Sequence, residues 1–190
     1  VHKPMSTNEN FEYEISLLQL SDSLFPTGMY STSSGLETFF YQKKIQTVTE
    51  LKQLLTVYLE NQIGPADCVA LGNSYEYAKA SDLEKLKTAD QRVFSMKLVK
   101  EIRDVSVRSG TQLLKCIRSI ITDNQVLMDY QDAINKGLAS GIHPVALAVS
   151  CAAFGIPKTK AGLILVYTFT VSVIGAAMRL GMLDHFEGQK

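Results

Sequence analysis

The groups in this sequence that could bind a metal, move a proton or attack a carbonyl are few and far apart. The histidines are His2, His143 and His185, and the cysteines are Cys68, Cys116 and Cys151. None stands at ligand spacing from a second His or Cys, so neither a metal site nor a bound cofactor is expected. Ser31 and His143 are the one hydroxyl and imidazole that could be drawn together. In a helical chain such a lone pair more often caps and packs than catalyses. Gly155-Ile156-Pro157-Lys158-Thr159 sets a lysine beside a threonine, without the G-x-x-x-x-G-K-[ST] spacing that wraps backbone amides around phosphate. Gly137-Leu138-Ala139-Ser140-Gly141 lacks the preceding strand of a dinucleotide site. Both read as interhelical turns, and the chain is not expected to be an enzyme.

What is left is charge beside apolar surface. Glu101-Ile102-Arg103 and Arg108-Ser109-Gly110 fall on one helical stretch, with Arg103 and Asp104 expected to point away from the Ile102 and Val105 stripe into solvent. Arg179 follows eighteen residues without a charge, Ala161 to Met178. It must reach the surface by its long stem or pair with a buried acceptor, and either outcome sets a charge at the edge of an apolar patch, as protein interfaces do.

The elements that must position these groups are helices, because the apolar residues recur at helical spacing almost throughout and never alternate as in a strand. The expected fold is all-α, a single-domain bundle of roughly eight to ten helices over residues 11–190. Residues 1–10 are read as an N-terminal tail or expression remnant, with no secretory signal. Phe11, Ile15 and Leu18 give a first helix, ended by the turn Phe25-Pro26-Thr27-Gly28, in which Gly28 is expected to be left-handed. Five hydroxyl residues from Thr27 to Ser34 precede a short helix near Gly35. Thr47 with Glu50, and Ser81 with Glu84, read as capping boxes. A stripe from Leu51 to Leu59 is expected to stop at Gly64-Pro65, and Asp67 to open the next helix. Residues from Ser81 to about Thr122 read as one long helix or two nearly continuous ones, with Phe94, Leu98, Ile102, Val105, Ser109, Leu113, Cys116 and Ile120 inward. Gly110 marks a bend or a close approach. Asp123 is expected to cap a helix ending at Lys136-Gly137, Pro144 to start one running to Phe154, and the last to begin near Thr159.

The 190 residues carry 19 basic and 19 acidic side chains, which argues against nucleic-acid binding, and 46 % hydrophobic residues, which argues against disorder. The uncharged run 161–178 just reaches the length of a membrane span, but its hydroxyls and glycines and the short helix before it favour a core or interface helix.

Leu17-Leu18-Gln19-Leu20, then Pro26-Thr27-Gly28, then Ser34 and Gly35-Leu36-Glu37 resembles the opening signature of the UreF family of urease accessory proteins. Further pieces follow in that family's order: Asp67 with Tyr75, Glu76 and Ala78; Glu101-Ile102-Arg103 leading to Gly110; His143-Pro144; and Ala176-Ala177-Met178-Arg179-Leu180. The likeness runs from about Leu17 to Gln189. It departs at Phe25-Pro26-Thr27-Gly28, where the family often has Leu-Pro-Val-Gly, and the family's C-terminal segment generally continues past Gly188-Gln189. The resemblance implies an all-helical, dimeric, cytoplasmic protein that bridges the UreD (UreH) scaffold and the UreG GTPase for nickel insertion into apo-urease. It implies no nucleic acid and no membrane among the partners. Pro26, Gly28, Ser34, Gly35, Glu37, Arg103, Arg108, His143 and Arg179 are then the candidate partner-binding residues. Arg103, Arg108 and Arg179 are candidates for an arginine presented to the GTPase. The alternative is a small helical enzyme, or a membrane-associated protein anchored by the 161–178 helix.

Overall fold

Eleven residues of one helix, α8 (His143–Ala153), organise the chain. Every side chain from His143 to Cys151 is buried, and α4, α5, α6, α7 and α9 pack around it. In the computed structural model, which describes residues 7–28 and 32–190 and the first seven of these by backbone alone, the helices are α1 (Thr7–Ser21), α2 (Leu36–Tyr41), α3 (Val48–Tyr58), α4 (Val69–Lys79), α5 (Leu83–Met96), α6 (Lys100–Ile120), α7 (Gln125–Asn135), α8 and α9 (Lys158–Arg179). No strand occurs among the described residues, so the expected all-helical bundle is what forms.

Two apolar clusters hold it. The larger surrounds α8 and includes Leu71, Leu86, Leu114, Ile117, Leu127 and Tyr130. The smaller gathers Leu36, Leu51 and Ile63 against the C-terminal half of α9. Each fully buried leucine or isoleucine contributes about 1.5–3 kcal/mol relative to an exposed one. Helix α9 serves both, giving Ile164 and Leu165 to the first and Phe169, Val173, Ala176 and Ala177 to the second. Its 22 residues are long and apolar enough to cross a membrane, with mean hydropathy 1.9. That apolarity is used between two cores.

Several boundaries differ from the sequence reading. Helix α3 does not stop at Gly64-Pro65. It runs into α4 through a π-helical segment, Leu59–Cys68, with Pro65 inside it. A β-carbon on Gly64 would lie 2.8 Å from the Leu59 carbonyl oxygen, five residues back, so glycine admits the i to i+5 wrap that this geometry brings together. Asp67 therefore opens no helix; it is buried on the π segment. Ser81 is left-handed, at φ 57°, and Asp82 caps α5 by accepting from the Lys85 N–H. Asn124, not Asp123, caps α7. The Thr47 and Glu50 capping box forms as read. Residues 97–99 separate α5 from α6, leaving Leu98 86 % exposed, and Ile120 is exposed at the end of α6. In α1 the inward residues are Leu17 and Leu20 while Ile15 and Leu18 face outward, so the helix is rotated from the expected register. The side chain of Phe11, and Ser31 altogether, lie outside the described residues. Helix α1 begins at Thr7, inside the stretch read as a tail.

Gly110 is a point of close packing. A β-carbon there would sit 2.1 Å from the Gly141 carbonyl oxygen and 2.8 Å from the His143 nitrogen. Helix α6 thus lies against the turn that begins α8.

Candidate functional site

A groove of about 290 Å³ opens between the π segment, the first half of α6 and the start of α8, with α9 closing one side and residues 32–35 its rim. Its floor is apolar: Ile63, Ile102, Val105, Leu165 and Phe169. The rim is shaped by consecutive left-handed residues, Ser34 at φ 50° and Gly35 at φ 86°. The Tyr58 hydroxyl donates to the Ser34 carbonyl at 2.6 Å, and its ring meets Phe169 edge to face, centroids 5.9 Å apart. One tyrosine on α3 thereby fastens the turn before α2 to α9.

An ion pair lies in the wall. The Lys97 ammonium donates to both Asp67 oxygens, at 2.8 and 2.9 Å, and each side chain is only 7 % exposed. Burial pushes the Asp67 carboxyl above its ordinary value, and Lys97 offsets this only in part. Desolvation here outweighs attraction, which is common for buried pairs, so the pair fixes geometry more than it adds stability. Lys97 stands in the break between α5 and α6, and Asp67 on the π segment. The pair ties the two irregular stretches together.

His143 closes the deep end. Its Nδ1 lies 3.1 Å from Ser109 Oγ, and its backbone N–H donates to Ser106 Oγ at 3.3 Å. Burial first, then the nearby Lys97 charge, lowers its pKa to about 4, so the imidazole is neutral near pH 7. His143 also lines a second, small cavity of about 30 Å³ with Phe25, Thr27 and Leu113. The Phe25 to Thr27 turn and the groove thus share one histidine.

Of the candidate residues, Ser34, Gly35, Arg108 and His143 come together at this groove. Pro26 and Gly28 are exposed on the turn after α1, and Gly28 is left-handed, at φ 76°, as its position required. Glu37 is exposed in the first turn of α2 and Arg179 in the last turn of α9. Arg103 is not a solvated charge: it is half-buried, its guanidinium stands 5.0 Å over the Phe94 ring, and it donates to the Lys97 carbonyl at 3.2 Å. It is thereby occupied at the α5 to α6 junction. Arg108 and Glu101, both exposed, mark the groove edge from the same helix.

Sequence reading missed the Asp67 and Lys97 pair, whose members are 30 residues apart in the chain. It also missed Asp90, which is fully buried and accepts from Tyr130 Oη at 2.6 Å, Ser140 N at 2.5 Å and Ile142 N at 3.0 Å. Asp90 had a signal, because it falls between Leu86 and Val93 on the apolar face of α5. The groove as a whole offers hydroxyls, a neutral imidazole and exposed charges around an apolar floor, the equipment of a binding surface.

The profile of the UreF family matches residues 45–190. A urease accessory protein UreF of Trichodesmium erythraeum is 33 % identical over 183 residues, covering 96 % of this chain and 78 % of its own. The chain belongs to the UreF family. Urease accessory protein UreF 1 of Brucella melitensis is 33 % identical over 174 residues, 92 % of this chain and 71 % of its own. UreF of Geobacillus kaustophilus is 34 % identical over 178 residues, 92 % and 75 %. Membership assigns the chain a role in urease maturation, as an accessory protein of a family that is not catalytic. The profile spans the π segment, α6, α8 and α9, so the groove walls lie within the family's shared part, and Ser34 and Gly35 lie just before it.

Proposed function

We propose that this UreF-family chain acts in the cytoplasm as an adaptor, joining a UreD (UreH) scaffold to the UreG GTPase while nickel is delivered to apo-urease, and that it does so as a homodimer. The observation that carries the reading, beyond family membership, is the groove edge. Arg108 and Glu101 stand exposed beside the apolar floor of Ile102, Val105 and Phe169. Charge rimming an apolar patch is the composition of an interface. An arginine presented to the GTPase from the groove would be Arg108, because the Arg103 guanidinium is held by Phe94 and the Lys97 carbonyl.

The test is size-exclusion chromatography with light scattering on the protein alone, then with the scaffold and nucleotide-loaded GTPase of the same source. A dimer drawn into a larger complex supports the adaptor reading. A monomer that elutes unchanged beside both partners overturns it.

A further inference from the structure

A second groove lies on another face of the π segment, between α4 and α5, with a volume of about 460 Å³. Its walls are two rows, one on each helix. Along α5 run Lys85, Thr88, Arg92 and Met96, at i, i+3, i+7 and i+11; along α4 run Val69, Asn73 and Tyr77, at i, i+4 and i+8. From Lys85 to Met96, eleven residue steps of α5, the row spans roughly 16 Å at 1.5 Å per residue, three helical turns. The trough is therefore about three turns long and helical on both sides. Apolar side chains already stand out of it: Val69 is 55 % exposed and Met96 59 %.

The charges along it have one sign. Lys85 and Arg92 line the groove, and no acidic residue does. The Lys85 ammonium is bound to Asp82 at 2.8 Å and stands 5.7 Å over the Tyr77 ring. Arg92 is exposed, with no ion pair to it among the described residues.

We propose that this groove receives an amphipathic α-helix of about three turns from a partner protein, its apolar face seated between α4 and α5 and a carboxylate-bearing flank against Arg92. Two helical walls favour a third helix, whose side chains at i, i+4 and i+7 can enter along the trough. The basic rim selects an acidic flank by charge complementarity and disfavours a second copy docked groove to groove, which would set Arg92 against a like charge. The inference does not depend on which urease-maturation partner the first groove engages.

The probe is a labelled synthetic helical peptide with leucine at i, i+4, i+7 and i+11 and glutamate along one flank, compared with a twin carrying lysine there. Fluorescence anisotropy on the full chain should show the glutamate peptide binding about tenfold more tightly than the twin, with the difference shrinking in high salt. Arg92→Glu combined with Lys85→Glu should reverse the preference, and Val69→Asp should abolish binding of both while the melting temperature holds. Equal affinity of the two peptides for the unmodified protein, absence of binding, or binding unaffected by Val69→Asp in folded protein would each overturn the proposal. No urease partner enters this assay, so its failure is distinct from failure of the adaptor reading.

Discussion

His143 links protonation to folding. In the unfolded chain an imidazole has a pKa near 6.5, and in the folded protein burial and Lys97 lower it to about 4. Between those values the unfolded chain binds a proton that the folded chain refuses. Stability therefore rises with pH across this window, is complete above about pH 6.5, and is lost as pH falls toward 4; the shift corresponds to about 3 kcal/mol. Asp67 works the other way. Its folded pKa is raised, so its ionisation weakens the fold as pH rises from 3.8, and this opposes part of the His143 dependence. Urea titrations at a series of pH values should show this dependence in the parent protein and a flatter one in His143→Asn. An equally steep loss in the mutant would mean that another group refuses the proton. Two glycines separate space from conformation at the same scale. Gly110→Ala drives a methyl into backbone atoms of the Gly141 to His143 turn, which cannot rotate away, so a loss of about 3 kcal/mol is expected. Gly28→Ala meets nothing within 4 Å and bears only the penalty of a left-handed backbone, about 1–2 kcal/mol. Thermal melts of the pair should fall in that order.

At the scale of elements, Asp90 holds the entrance to α8. One carboxylate on α5 takes three hydrogen bonds, from α7 through Tyr130 and from the backbone of the turn at Ser140 and Ile142. Tyr130 is itself completely buried, and burial, reinforced by Asp90, lifts its hydroxyl pKa well above the usual value, so it remains a donor. Asp90→Ala would leave three donors without their acceptor, two of them in the core, and should cost about 3 kcal/mol or more, whereas Tyr130→Phe, which removes one donor, should cost about 1–2 kcal/mol. Chemical denaturation of both mutants would show it, and equal losses would mean that the turn does not depend on the carboxylate. The same elements mark how far the sequence could be read. The Thr47 and Glu50 box was legible because both partners lie within one turn. Pro144 in the first turn of α8 was legible because proline suits that place. Gly64-Pro65 was misread because those residues end an α-helix, while a π turn moves the crowding carbonyl five residues back and continues. The α1 register was misread because Ile15 and Leu18 have the right spacing for an inward face, and only packing shows that Leu17 and Leu20 are used. Part of the groove was visible through the family resemblance, at Ser34, Gly35, Arg108 and His143. Another part, Tyr58, Asp67 and Lys97, is joined by contacts 24 and 30 residues apart that no local pattern encodes.

For the whole molecule, the π segment divides two surfaces. Ile63 and Asp67 face the first groove, and Pro65 and Ala66 the second. On the proposed adaptor reading two partners are held at once, and two grooves set on different faces of one irregular helix, each with its own charge pattern, would keep them apart. The arginines test this division. Arg108 is exposed at the first groove, so Arg108→Glu should change stability by no more than about 0.5 kcal/mol. The same change reverses a charge at the proposed interface and should weaken co-elution with the scaffold and GTPase about tenfold or more. Arg103→Ala should do the reverse first, removing the contact with Phe94 and the bond to the Lys97 carbonyl and lowering stability by about 1–2 kcal/mol. Melting curves and light-scattering chromatography on both mutants separate the outcomes. If Arg108→Glu melts and assembles like the parent, the first groove is not where the partners meet, and the trough between α4 and α5 is left as the partner surface.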